Sequence, residues 1–187
     1  MPHALVVGGT GMLKNVPLYF AIHGFTVSVI ARNQNNLNKL IETKSEHGFI
    51  NPVRVDYSDS FLLEEKLRFA VDNFGKIETA VCWIHSTAPD APFIIAGFLN
   101  RQNIRVKFYH VIGSANIPPD GKNQKFENEI SKYENIIYRK ILLGYVIEDE
   151  SSRWLNDTEI GNGVIDAVIY EKDFHIVGKI EPRERRP

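Results

Sequence analysis

Two stretches of the sequence carry residue types that hold phosphate. Gly8-Gly9-Thr10-Gly11-Met12-Leu13-Lys14 follows the apolar run Ala4–Val7. Glycines between a strand and a helix let backbone approach a pyrophosphate, and the free N–H groups and dipole of the helix N-terminus attract the anion. The spacing is G-G-T-G-x-x-K, with Lys14 in place of the usual third glycine. Lys14 has two readings: a solvated lysine, or a cation facing a bound phosphate that offsets its conflict with the helix dipole. The second stretch, Arg32-Asn33, follows the apolar run Thr26–Ala31. Chains that bind NAD often place Asp or Glu here for the ribose hydroxyls. Arg32 offers a guanidinium instead, able to clamp a 2′-phosphate through charge-assisted bonds of roughly 1.5–3 kcal/mol. The expected cofactor is therefore NADP rather than NAD; the alternative is a surface arginine ending a strand.

Further candidates lie at the ends of later apolar runs. Asp56-Tyr57 follows the third run, and Asp56 is placed to accept from an adenine amino group or to form a turn. Asp59 reads as a helix cap. Ile84-His85-Ser86 ends the fourth run, and His110 lies within the fifth, four residues before Ser114. A histidine and a serine can share proton transfer, although a lone strand histidine is more often structural. The six histidines show no close pairing and no nearby cysteine, so no metal site is expected. No Gly-x-Ser-x-Gly elbow supports a hydrolase. Trp83 and Trp154 read as packing residues.

These residues need a scaffold of alternating strands and helices. Ala4–Val7, Thr26–Ala31, Ile50–Val55, Thr79–Ile84 and Val106–Ile112 are nearly continuous apolar runs, suited to strands buried on both faces of a parallel sheet. Tyr138–Ile147 contains a sixth strand and Phe174–Val177 a seventh. Helical spacing marks Met12–His23, a segment from Asn36 to near Gly48, Leu62–Phe74, Pro92–Leu99 and about Gln124–Tyr133. Asn156-Asp157-Thr158-Glu159 spells a capping box opening a helix to about Tyr170. The expected fold is α/β: a doubly wound, mostly parallel, Rossmann-like sheet of about seven strands with helices on both faces.

Composition agrees with a folded domain. The chain has 187 residues, 43% hydrophobic and 24% charged, enough apolar material for a full core. It reads as one domain: a cofactor-binding half over 1–115, a substrate side over 116–178 and a solvated tail over 179–187, where Trp154 could dock the tail on a partner subunit. With 22 Lys+Arg against 23 Asp+Glu, a dedicated nucleic-acid binder is not expected. One cysteine, Cys82, excludes an internal disulfide. No apolar run approaches the ~20 residues of a membrane span. With no signal-peptide layout, the expected address is the cytoplasm.

Together the turn Gly8–Leu13, Arg32, Asp56, the end of the fourth strand and Gly113-Ser114 resemble the short-chain dehydrogenase/reductase superfamily, over about the first 115 residues. The resemblance implies cofactor contacts at Gly8, Gly9, Thr10, Gly11, Met12, Leu13, Arg32, Asn33, Asp56, Tyr57, Ile84, His85 and Ser86. It also implies that Ser114 polarises a substrate oxygen; from their place at the end of the fourth strand, His85 or Ser86 is the candidate helper. The chain departs from the family as an atypical, compact member. Typical relatives carry Tyr-x-x-x-Lys, whereas none of the seven tyrosines here has lysine four residues on. Only 23 residues separate Ser114 from Tyr138, which leaves room for a short helix at most. Tyr133 beside Lys132 is a weak substitute, because adjacent residues face different ways on a helix. The implied function is an NADP(H)-dependent oxidoreductase acting on a small carbonyl or hydroxyl compound, with a homo-oligomer possible. The alternative is a non-catalytic NADP-binding redox sensor or regulatory protein.

Overall fold

The computed structural model describes residues 1–43, 47–114 and 124–187. The first strands are β1 (His3–Val7), β2 (Thr26–Ala31), β3 (Phe49–Arg54), β4 (Ile77–Trp83), β5 (Val106–Gly113) and β6 (Ile136–Leu143). They are followed by β7 (Tyr145–Glu148), β8 (Ser151–Trp154) and β9 (Phe174–Val177). The helices are α1 (Asn15–Ile22), α2 (Gln34–Glu42), α3 (Ser60–Phe74), α4 (Ala91–Asn100), α5 (Gln124–Ile130) and α6 (Asp157–Ile169).

Seven strands form one sheet in the order β3-β2-β1-β4-β5-β6-β9, and every pairing is parallel. Parallel neighbours need long crossovers, which the helices supply. Strand alternation divides the core between two faces. Ala4 and Val6 of β1 pack with Val16 and Phe20 of α1, Leu37 of α2 and Val164 of α6. Leu5 and Val7 turn the other way, toward Leu67 of α3, Ile95 of α4 and Phe126 of α5. The sheet is thus buried on both sides, which explains why its strands read as unbroken Val/Ile runs. The doubly wound α/β expectation holds.

Three expectations are corrected. First, the turn after β1 runs to Lys14, so α1 opens at Asn15 rather than at Met12. Second, the sixth strand expected within Tyr138–Ile147 is present as β6, but it begins at Ile136 and ends at Leu143. It breaks at Gly144, where an added Cβ would overlap the carbonyl of Lys179. The chain leaves the sheet there, and Tyr145–Glu148 pairs antiparallel with Ser151–Trp154 as a separate hairpin. Third, the tail is not merely solvated. Tyr145 N–H donates to Lys179 O at 2.8 Å and Lys179 N–H donates back to Tyr145 O at 2.8 Å. The Tyr145 hydroxyl donates to the Pro182 carbonyl, and the Ser152 hydroxyl donates to the Arg185 carbonyl. The Arg186 guanidinium lies 5.5 Å from the Trp154 ring centroid. The tail therefore packs on the hairpin of its own chain.

The capping box at α6 forms as the sequence spells it. Asn156 Oδ1 accepts from Glu159 N–H, and Glu159 accepts from Asn156 N–H, both at 2.9 Å. Arg153 of β8 grips the same Glu159 carboxylate through two bonds of 2.9 Å. That guanidinium, with the backbone bond from Asn156, pulls the Glu159 carboxyl down to about 2. Asn156→Ala should lower stability by about 1 kcal/mol, the usual worth of an N-cap. Urea unfolding of the variant beside the parent checks this.

Candidate functional site

The strand order reverses between β1 and β4, and in open α/β sheets ligands bind at that point, outside the carboxyl ends of the strands. The Gly8–Lys14 turn lies on this edge. Gly8 adopts φ +78°, donates its N–H to Ile30 O at 3.0 Å, and packs so closely on β4 that a Cβ would stand 2.6 Å from Trp83 O. Only glycine suits that position. Gly11 differs: a Cβ there would meet nothing within 4 Å. Its face of the turn is open to a ligand. Helix α1 has no side-chain cap and no acidic residue in its first turn, but Lys14 N–H bonds Gly11 O and Val16 N–H bonds Leu13 O, both at 2.9 Å, and Pro17 has no N–H, so backbone already takes most of its first donors. Met12 is half-buried and Leu13 fully buried against the α1 face of the core. Lys14 lines a shallow cavity of about 450 Å³ with Thr10, Asn36 and Lys39, between α1 and α2.

Arg32 and Asp56 meet at the ends of β2 and β3, with Arg32 Nη1 3.9 Å from Asp56 Oδ2 and both side chains exposed. Asp56 is also the turn former of its alternative reading. Its Oδ1 accepts from Ser58 N–H at 3.0 Å and from the Ser58 hydroxyl at 2.8 Å. These bonds, more than Arg32, hold its carboxyl below the usual range. Ser58 is a contributor that the sequence reading missed, though Asp-x-Ser after a strand is a recognisable Asx turn. Asn33 caps α2, accepting from Asn36 N–H at 3.1 Å. Tyr57 is buried, and its hydroxyl accepts the His85 N–H at 3.3 Å. Its position therefore supports the end of β4.

Two cavities open at the ends of β4 and β5, and Trp83 with Gly113 lines both. Ile84, His85, Ser86, His110 and Phe126 line the first, of about 290 Å³. His110 is buried there, its ring 4.7 Å from that of Phe126 and its Nδ1 3.3 Å from the Tyr138 hydroxyl. Burial, then the nearby Lys140 charge, pushes its imidazole down to about 4. Such a group is neutral near pH 7 and too weakly basic for an efficient general base. Burial pushes the Tyr138 phenol up.

Ser114 lines the second cavity, of about 280 Å³, with Met12, Trp83, Leu143, Trp154 and Leu155. Its Oγ is buried and has no hydrogen-bond partner among the described residues. His85 and Ser114, expected to work together, line neighbouring cavities that share Trp83 and Gly113. The Trp83 indole is the partition, lying so near Gly113 that a Cβ there would touch its Cη2 at 3.5 Å. The two tryptophans, expected only to pack, are walls of the Ser114 cavity. Trp83 had a legible signal, its place at the ligand-facing end of a strand. Trp154 had none, because it reaches the cavity from the hairpin. Tyr133 is not brought to this edge. A Cβ on Gly97 of α4 would stand 3.5 Å from its hydroxyl, and Lys132 pairs with Glu129 at 2.6 Å.

Among the described residues no group of three or more His, Cys, Asp or Glu stands close enough to hold a metal ion. Among them, too, no helix is long and apolar enough to cross a membrane.

No protein-family model and no curated protein sequence matches the chain. Solved structures do match, 1264 chains in all, so the likeness is to a widely used fold rather than to one activity. A short-chain type dehydrogenase/reductase from Mycobacterium marinum aligns with a TM-score of 0.71 at 21% identity, over 95% of this chain and 93% of that one. An NAD+-bound xylitol dehydrogenase gives 0.70 at 14% identity, over 94% and 96%. A bulky-bulky ketone specific alcohol dehydrogenase from Comamonas testosteroni gives 0.70 at 15% identity, over 98% and 89%.

Proposed function

We propose that this chain, which has the short-chain dehydrogenase/reductase fold, is an NADP(H)-binding oxidoreductase acting on a small carbonyl or hydroxyl compound. The observation that carries the reading is the Ser114 hydroxyl, without a partner among the described residues, on the same sheet edge as the open glycine turn and the exposed Arg32. The residues fit a dinucleotide in one respect: the turn has open space at Gly11. The turn from Gly8 to Leu13 would hold the pyrophosphate, Arg32 the 2′-phosphate and Asp56 the adenine side. A bound nicotinamide dinucleotide supplies hydride chemistry. Ser114 Oγ–H would donate to the substrate oxygen, which satisfies an otherwise orphaned group. The cytoplasm and a homo-oligomeric state belong to the same proposal.

One observation favours a second reading, a non-catalytic redox sensor. Trp83 separates Ser114 from His85 and His110, so no titratable histidine shares its cavity among the described residues.

Calorimetric titration with NADPH, NADH, NADP and NAD tests the first claim. NADPH should bind at least tenfold more tightly than NADH. Arg32→Asp should remove that preference, because it replaces a charge-assisted phosphate contact by repulsion. Silence with all four nucleotides sinks both readings. Turnover that survives Ser114→Ala rejects the role given to that hydroxyl.

A further inference from the structure

We infer that the cavity on the far side of Trp83 is a second ligand site, in which His110 Nε2–H is a fixed donor for the oxygen of a small, neutral carbonyl compound. The site stands apart from the one given to the cofactor. His110 packs on Phe108 and Phe126, on the sheet face covered by α4 and α5. Met12 of the glycine turn packs on the opposite face. No residue from Gly8 to Lys14, and neither Arg32 nor Asp56, lines the cavity. Ile84, His85 and Ser86 do stand in its wall, and the resemblance gives those three to the cofactor. Competition with NADPH is therefore the measure of its separateness.

The donor is set from the other side of the ring. His110 is 6% exposed, and its Nδ1 stands 3.3 Å from the Tyr138 hydroxyl. A phenol is the stronger donor and an imidazole nitrogen the stronger acceptor, so the bond runs from O–H to Nδ1. Burial keeps the Tyr138 proton on its oxygen. Burial, then the Lys140 charge, keeps the imidazole neutral. A neutral ring whose Nδ1 accepts carries its one proton on Nε2. Nε2 has no partner among the described residues, yet it is not fully enclosed as Ser114 Oγ is, so it opens on the cavity that the ring lines.

The wall selects the guest. Trp83, Pro89, Pro92, Ile112 and Phe126 are apolar, and among the described residues no Lys, Arg, Asp or Glu lines the space. A carboxylate entering would lose its water with no cation to meet it, and an ammonium would face an N–H that already donates. A carbonyl oxygen accepts that N–H and needs nothing more. At about 290 Å³ the cavity lies at the lower end of ligand sites, about 300–1,000 Å³, which holds the guest to one small ring or a short chain.

Nitrogen-15 NMR of the full chain reads the tautomer directly, with His110→Phe identifying the resonance. Nε2 should carry the proton at neutral pH. Cyclohexanone should move that resonance saturably. It should bind about tenfold tighter than methylenecyclohexane, which has its shape without the acceptor, because an unpaired buried donor costs that much. Tyr138→Phe keeps the volume and frees the tautomer, so it should weaken cyclohexanone several-fold and leave methylenecyclohexane unchanged. Saturating NADPH should leave the cyclohexanone titration as it was. A proton on Nδ1, no saturable shift, or equal affinity for the two rings overturns the inference. So does competition between NADPH and cyclohexanone, or a Tyr138→Phe chain, folded by its melting curve, that binds cyclohexanone like the parent. If that variant does not fold, the tautomer and the two-ring comparison decide. Silence toward every nucleotide removes the cofactor reading alone and leaves this site standing.

Discussion

Gly8→Ala should abolish nucleotide binding and cost about 3 kcal/mol of stability. Two terms add. An L side chain at φ +78° costs roughly 1–2 kcal/mol. The new Cβ would also stand 2.6 Å from Trp83 O, a backbone atom that cannot rotate away. Overpacking of that kind adds typically 1–3 kcal/mol. For a chain of this size each kcal/mol moves the melting temperature by roughly 2–4 °C. Differential scanning calorimetry should therefore find a fall of roughly 6–12 °C. The push on Trp83 also displaces the wall shared by both cavities, so the damage reaches the site itself. Gly11→Ala is the control, because its Cβ meets nothing within 4 Å. It should melt with the parent, yet weaken NADPH binding where the ligand must approach that face. Unchanged NADPH affinity in Gly8→Ala would remove the turn from the site.

Acidification from pH 6.5 to pH 4 should cost about 3 kcal/mol of stability through His110 alone. In the unfolded chain its imidazole titrates near 6.5, and in the folded chain near 4. The folded state thus binds fewer protons across that window. Its stability is full above pH 6.5 and falls as the pH drops toward 4. The groups facing the ring set this. Phe126 of α5 and Phe108 of β5 exclude water, Tyr138 of β6 bonds Nδ1, and Lys140 of β6 repels a second positive charge while paired with Glu127 of α5. His3, buried against Gly75 O and Ser28 Oγ, is lowered too and adds in the same direction. Urea unfolding at stepped pH, with His110→Phe beside the parent, isolates the term. The variant's curve should be flatter by about 3 kcal/mol between pH 6.5 and 4, and equal slopes would refute the assignment.

The elements legible in the sequence are those whose signal is local. β1 and β2 are buried along their whole length and β4 and β5 over most of theirs, so most residues along them are under the same pressure to be apolar. The helix α6 announces itself because Asn156 and Glu159 satisfy one another's backbone groups within four residues. The cap of α3 is local in the same way, Asp59 accepting from Leu62 N–H at 3.0 Å. The hairpin β7–β8 was illegible for the opposite reason. Its two-residue turn, Asp149-Glu150, holds no glycine although Asp149 sits at φ +51°, and its strands are four residues long. What anchors it is contact with Lys179, Pro182 and Arg185, some 35 residues further on.

The candidate site divides along the same line. The glycine turn, Arg32 and Asp56 were readable because strand–turn–helix units place such residues on one edge whatever the side chains do elsewhere. Their spacing alone therefore determined where a phosphate-bearing ligand would lie. Which neighbours Ser114 has was decided only by the tertiary structure. A single indole at Trp83, packed between Gly8 and Gly113, separates it from the histidines that the sequence brings near. Trp154, 40 residues downstream of Ser114, closes the wall instead. Local backbone geometry follows from neighbours in the chain, whereas cavities are set by how distant side chains fill volume, and no pattern of spacing encodes that filling.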